Sequence, residues 1–385
     1  MKRLKKEYKF SLILLTGLLL ITACSIPPSD TKEKAFDTPP SAEVAEAVAL
    51  PTPALEIVPA PILTQIKMLD AQNGWGQADG MVLRTEDGGT TWLDVTPADS
   101  FNNPAYSKSF FLDAKIGWVL LEDLDSPTVG TIFRTTDGGI SWRWRNTPFG
   151  RSDFGFLDAE TGYALTGLGA GAGSMGVAIW ETKNGGGDWD RTFLHEPGFE
   201  FTLPFNGIKN GISYRDPLSG WVTGSIPKDG VIWFYRTRDG GFSWEEQPLD
   251  MPLGYESAQT STNAPRVFDG GVILLPIYLL GEESAMVFYR STDNGETWTA
   301  TLPVPTYGKY AIASSNEIIA WDGGTTLYAS QDGGETWSFH ATNWQPNDLL
   351  RALDFVSATE GWALSEDGLY RTIDGGKTWE SLGEE

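Results

Sequence analysis

From about residue 62 onward, short apolar runs alternate with polar clusters rich in Asp and Gly. One phrase is Met68-Leu69-Asp70-Ala71-Gln72-Asn73-Gly74-Trp75, echoed by Phe111 to Trp118, Phe156 to Tyr163, Tyr214 to Trp221 and Phe355 to Trp362. Each copy predicts strand, turn, strand. The apolar run ends at a residue suited to open a turn, usually Asp, and Gly takes an awkward dihedral before the next strand. A third strand follows, as at Met81 to Arg84, Thr131 to Arg134, Val231 to Arg236 and Met286 to Arg290. A second polar phrase then turns the chain into a fourth strand, such as Trp142-Arg143-Trp144 or Trp244-Glu245-Glu246.

That second phrase is written seven times: Ser/Thr, any residue, Asp, Gly or Asn, Gly, any residue, Ser/Thr, Trp. It begins at Thr85, Thr135, Thr182, Thr237, Ser291, Ser330 and Thr372. It ends at Trp92, Trp142, Trp189, Trp244, Trp298, Trp337 and Trp379. A strand-built repeat of roughly 40–50 residues is the signature of a β-propeller, one blade per repeat. The expected fold is therefore all-β: a seven-bladed β-propeller of four-stranded antiparallel blades over residues 62–385. The units run approximately 62–97, 104–148, 153–195, 207–250, 262–302, 307–342 and 350–383. Ring closure is left open. The last blade is complete from its own sequence, or a strand around Leu55 to Ile57 joins it.

The phrase resembles the Asp-box, or BNR repeat, of bacterial sialidases and related propellers. Thr85 to Trp92 and Thr372 to Trp379 match it fully. Ser291 to Trp298 has Asn294 where Gly is usual, and Thr182 to Trp189 has Asn184 for Asp and Asp188 for Ser/Thr. The Arg-Thr-x-Asp-Gly-Gly form, with the Asp-x-x-x-Gly-Trp half, is most similar to propellers of the photosystem II stability/assembly-factor type. That resemblance implies a chaperone-like, protein-binding role.

The boxes read as hairpin staples. The carboxylates of Asp87, Asp137, Asp239, Asp293, Asp332 and Asp374, with Asn184 in the third copy, suit backbone N–H groups of their own turns. The terminal Trp residues are apolar wedges. One carboxylate per box is too few for a calcium loop, so no metal is expected. Arg84, Arg134, Arg236, Arg290 and Arg371 stand just before five of the boxes. Ion pairs with the repeated Asp70, Asp113, Asp158 and Asp216 are expected on that rim.

The opposite face, made by loops between second and third strands and between blades, is the candidate binding face. It carries Glu122, Asp123, Asp125, Glu196, Phe199, Glu200, Phe201, Tyr255, Glu256, Tyr307, Tyr310 and Trp344. Acids beside aromatics suit a sugar, a cationic peptide or a protein. A catalytic set is not evident. The Arg-Ile-Pro-type motif of sialidases is absent, and the recurring Arg residues precede boxes. A glycosidase would need two facing carboxylates. Gly167 to Gly173 has no following Lys or helix and reads as a flexible interblade or second-to-third-strand loop, not a nucleotide site. His195 and His340, the only histidines, have no Cys to join them in a zinc site. No cofactor is implied.

The N-terminus adds a different message. Lys2, Arg3, Lys5, Lys6 and Lys9 precede an apolar run from Phe10 to Ile21, too short for a comfortable membrane span. Ile21-Thr22-Ala23-Cys24 resembles a bacterial lipobox and holds the only cysteine. Residues 1–23 are thus expected to be a lipoprotein signal peptide. Residues 24–61 are expected to be a lipidated Cys24 followed by a disordered Pro/Ala-rich linker. Removing that signal takes the formal charge from −23 to −27. So acidic a balance excludes nucleic acid and disfavours anionic headgroups. The sequence therefore points to a lipid-anchored, non-catalytic propeller in the bacterial cell envelope, outside the cytoplasm. It would bind a protein or help assemble a membrane complex. The alternative is a carbohydrate-binding or sialidase-like glycoside-hydrolase propeller.

Overall fold

Each repeat folds as antiparallel strands because its box reverses the chain, joined in all but the fifth and sixth repeats by the first turn phrase. The computed structural model describes residues 55–383, apart from position 79 and the stretches 98–106, 124–125, 127, 197–200 and 347–348. These belong to one compact unit, Pro53–Glu385. The expected signal peptide, Cys24 and most of the linker lie outside the described residues. Among those residues the only helical element is a short 3₁₀ turn, Asp269–Gly271. The unit is an all-β propeller.

The sheets follow chain order. The first repeat is built from Leu63–Met68, Gly74–Ala78, Met81–Thr85 and Trp92–Asp94. The second comprises Ser107–Phe111, Gly117–Glu122, Gly130–Thr135 and Arg143–Thr147. The third, sixth and seventh are likewise four-stranded, each in sequential order. The fourth and fifth merge into one nine-stranded sheet, joined where Ser225 pairs with Ser261. Thr262 Oγ1 reinforces this junction, accepting the Gly224 N–H and donating to the Gly224 carbonyl, each at 2.6 Å. The fifth repeat departs because its first strand is split. Gln259–Thr262 and Arg266–Val267 pair with opposite ends of Ile273–Leu280, with Pro265 in the break.

The box turns share one hydrogen-bond scheme. Thr85 Oγ1 accepts the N–H groups of Asp87 at 3.3 Å and Gly89 at 2.8 Å, and donates to Asp87 Oδ1 at 2.9 Å. Asp87 in turn accepts the Thr91 N–H at 2.9 Å and hydroxyl at 2.7 Å. The set recurs at Asp137, Asp239, Asp293, Asp332 and Asp374. The third box exchanges the roles: Asn184 Oδ1 accepts the Asp188 N–H, while Asn184 Nδ2 donates to Asp188 Oδ2 at 2.9 Å. Its two departures from the motif thus compensate each other. The residue after each box Asp takes a left-handed dihedral, as at Gly88 with φ 78°. Asn294 manages it at 65° because Asn tolerates that region.

Neighbouring repeats lock through these turns. Trp118 Nε1 donates to the Gly185 carbonyl of the next box, and Arg84 Nη1 to that of Gly138. Trp221 reaches the fifth box through Gln247, whose Nε2 donates to the Gly295 carbonyl at 2.6 Å. The same grammar closes the unit. Trp362 Nε1 donates to the Gly88 carbonyl at 2.8 Å, and Asp354 Oδ2 accepts the Met68 N–H at 2.6 Å. The last repeat therefore packs directly on the first.

Three expectations are corrected. Ile57–Val58 does not join the last repeat; it pairs with Trp92–Leu93 at the outer edge of the first sheet. The Arg residues before the boxes do not pair with the repeated Asp residues. Asp70, Asp113 and Asp158 spend an oxygen on N–H groups of their own turns, and Asp216 also pairs with Arg215. The arginines instead take Glu86, Glu160, Glu245 with Glu296, Asn316 and Glu360 respectively. Finally, Gly167 to Gly173 is not an open loop. Gly162–Gly171 and Ser174–Thr182 pair out to Gly171 opposite Ser174, turned by Ala172 and Gly173 at positive φ.

The box carboxylates set an acid limit. Hydrogen bonds from the side chain and N–H of Thr297 hold Asp293 at about 2, below its ordinary 3.8. Thr336 does the same for Asp332. The unfolded chain then takes up protons first as pH falls, so this stabilisation is complete above about pH 4 and drains away toward pH 2. Thermal melts between about pH 7 and 2 should show a plateau and then a fall. Asp293→Asn/Asp332→Asn should make the fall shallower.

Candidate functional site: a basic channel

A central cavity of about 840 Å³ is lined from every repeat by the first strand or the turn that follows it. Its wall includes Gln65, Lys67, Ser109, Tyr163, Ser213, Arg215 and Arg266. The charges on these first strands invert the balance of the chain. They carry Lys67, Lys108, Lys209, Arg266 and Lys309 against Asp153 and Asp354, whereas the whole chain has 28 basic and 51 acidic residues. Lys67 Nζ bonds Asp354 at 3.0 Å, and Lys108 pairs with Asp153. Both inner carboxylates are thus ion-paired. Enclosure by the walls lowers the Lys108 pKa, and Arg151 nearby lowers it further. Arg266 is solvent-exposed yet surrounded; desolvation lowers its pKa against the pull of Asp354. The charged residues in the cavity wall are Lys67, Arg215 and Arg266, all basic. Lys67 is held by Asp354 and Arg215 by Asp216, which leaves the partly desolvated Arg266 to attract an anionic group.

The other feature near the first strands is Lys209, only 4% exposed. Its Nζ meets five backbone carbonyls: Met175 at 2.9 Å, Pro204 at 2.8 Å, Phe205 at 3.1 Å, Asn206 at 3.0 Å and Gly207 at 3.1 Å. It also lies 5.0 Å from the Trp233 ring. Burial brings its pKa down to about 8. Three N–H donors serve all five acceptors, so the ammonium acts as an internal ion that gathers the chain at 204–207 against Ser174–Thr182. Beside it His195 is structural: Nδ1 accepts the Val177 N–H and Nε2–H donates to the Leu203 carbonyl. His340 bonds the Gly375 carbonyl. Among the described residues no three His, Cys, Asp or Glu side chains gather to hold a metal.

The residues of the candidate binding face fall into separate environments. Asp125, Phe199 and Glu200 lie outside the described residues. Glu122 is half-buried at a strand end, while Asp123, Glu196 and Glu256 are exposed. Tyr255 packs on the core shared by the fourth and fifth repeats, and Phe201 stands edge-on to His195. Trp344 is stacked on Tyr370 at 3.8 Å. Only Tyr307 and Tyr310 are brought together, through Tyr278 at 4.9 and 6.4 Å. Burial, then the neighbouring Tyr307, pushes the Tyr278 hydroxyl up to about 12.

The BNR/Asp-box repeat model matches residues 289–300, the phrase around the fifth box. Among curated proteins, the xyloglucanase Xgh74A of Acetivibrio thermocellus is 23% identical over 283 residues, 67% of this chain. The chain spans only 29% of that enzyme's length. Among solved structures, YCF48 bound to D1 peptide superposes with a TM-score of 0.54 at 19% identity, covering 83% of this chain and 96% of that one. YCF48 from Cyanidioschyzon merolae gives 0.53 at 17%, covering 83% and 95%. The GH74 xyloglucanase of Xanthomonas campestris gives 0.58 at 13%, covering 86% of this chain and 55% of that one. At these identities the likenesses establish a shared fold.

Sequence reasoning looked to the loops and missed the inner strands. The signal was present: the first apolar run of a repeat repeatedly carries a Lys or Arg in an acidic chain. Lys209→Met should lower the unfolding free energy by about 2–4 kcal/mol, because buried carbonyls lose their donor. Urea denaturation measures the loss, and hydrogen exchange should rise first around 203–207.

Proposed function

We propose that this protein is a non-catalytic binding propeller whose channel receives an anionic segment of a partner protein. It would serve in assembling or stabilising a membrane complex of the bacterial envelope, outside the cytoplasm and anchored through Cys24. The seven repeats would form seven blades, the nine-stranded sheet counting as two. The observation that carries the reading is the cavity wall, whose charged residues Lys67, Arg215 and Arg266 are all basic in an acidic chain. Two comparisons support it: the likeness to YCF48 bound to D1 peptide, and the resemblance of the sequence to photosystem II assembly factors. A second reading, carbohydrate binding or hydrolysis, is favoured by the Tyr278, Tyr307 and Tyr310 cluster and by the xyloglucanase likeness. Pairing of both inner carboxylates with lysines weighs against hydrolysis.

Crosslinking from native membranes should recover a membrane protein stoichiometrically with wild type and not with Arg266→Glu. The interaction should weaken as salt rises, since solvent-reachable charges are screened. Release of reducing ends from xyloglucan at enzymatic rates would overturn the reading in favour of the second.

A further inference from the structure

The strand Arg143–Thr147 is an open sheet edge, paired only with Gly130–Thr135. It is five residues long, whereas the outermost strands of the fourth, fifth and seventh repeats have two. The equivalent edge of the first repeat is covered by Ile57–Val58 of the same chain. Here nothing described covers the edge, and Arg143, Trp144, Arg145 and Asn146 are all exposed. Trp144 is 56% exposed and offers an apolar face with an indole N–H beside the two arginines.

The charges on this edge are also unmatched. Arg143 and Arg145 lie two apart and therefore share one face, with Trp144 on the other. Arg134, across the ladder from Arg143, is taken by Glu160. Among the described residues neither Arg143 nor Arg145 forms a salt bridge, in a chain with 51 acidic residues. The recorded bond of Arg145 goes to the Trp144 carbonyl, at 2.9 Å. A main-chain acceptor on an edge strand is thus capped by a neighbouring side chain.

We infer that this edge receives an extended acidic segment of a partner protein as an added strand. Its main chain continues the ladder. Its carboxylates meet Arg143 and Arg145, and an apolar side chain covers Trp144. A second copy of this chain is a poorer occupant: antiparallel self-pairing about Trp144 sets Arg143 of one copy against Arg145 of the other. The surface is distinct from the channel, whose lining includes none of these residues. No step of this inference depends on the channel reading.

The probe is a fluorescein-labelled decapeptide of alternating Glu and Val, titrated against the full chain by anisotropy. Arg143→Glu/Arg145→Glu should weaken binding by about tenfold or more, and Trp144→Ala by several-fold. Because these side chains are exposed, melting temperatures should stay unchanged. The same peptide N-methylated at alternate residues should bind poorly, as an added strand needs its N–H groups. Arg266→Glu is the control for uptake at the channel, and it should leave the Arg143/Arg145-dependent part of the binding in place. Loss only in that channel variant would move the peptide to the channel and overturn the edge assignment. So would no binding by wild type, equal binding of the methylated peptide, or Arg143/Arg145-dependent binding to phosphatidylglycerol vesicles with none to the peptide.

Discussion

The architecture depends on one small arrangement: a buried Ser or Thr hydroxyl at the head of each box, held between two backbone N–H groups and a carboxylate, or the Asn184 amide in the third box. Its bonds contribute about 0.5–3 kcal/mol net each, the larger values where the carboxylate accepts. Its importance lies in what it orients. By fixing a tight, left-handed turn, it presents a main-chain carbonyl outward at a reproducible place. In several repeats a side chain of the preceding one takes a carbonyl of that turn: Arg84 at Gly138, Trp118 at Gly185, Gln247 at Gly295, His340 at Gly375 and Trp362 at Gly88. Local turn chemistry is thereby converted into contact between repeats.

This explains which parts were legible in the sequence. Box bonding is local, spanning four residues or fewer, so residue types at fixed spacing are enough to read it. Even the third box could be decoded, since Asn184 and Asp188 form a reciprocal exchange of donor and acceptor. The rim ion pairs were misread for a related reason. An Asp that opens a turn has its oxygen consumed by backbone N–H groups before an Arg competes for it. The arginines then reach to Glu residues and main-chain carbonyls.

What remained hidden was whatever depends on pairing over long separations. Nothing in Ile57–Val58 says that it will lie against Trp92–Leu93 rather than the last repeat. The split strand around Pro265 and the fusion at Ser225 and Ser261 are likewise decided by neighbours. The channel charges were visible as residue types but not as a set. Lys67, Arg215 and Arg266 belong to three separate repeats, and only closure of the unit places them around one cavity. The search for acids and aromatics in loops followed the commonest location of sites and passed over the strands.

Among the described residues, closure uses side chains and single main-chain groups, without a strand borrowed from the other end. Asp354 meets Met68, Trp362 meets Gly88, and Leu382 lies close to Gly89. Every repeat is consequently complete in its own stretch of sequence, and the two ends of the folded unit are neighbours. The position of the chain break is then nearly arbitrary. Termini relocated to another junction between repeats would leave every hydrogen-bonded ladder uncut, so a circular permutant should retain the fold. The same modularity makes the seam between Leu63–Met68 and Ala352–Phe355 the one place where neighbouring repeats lack a peptide connection. Mechanical opening would begin there.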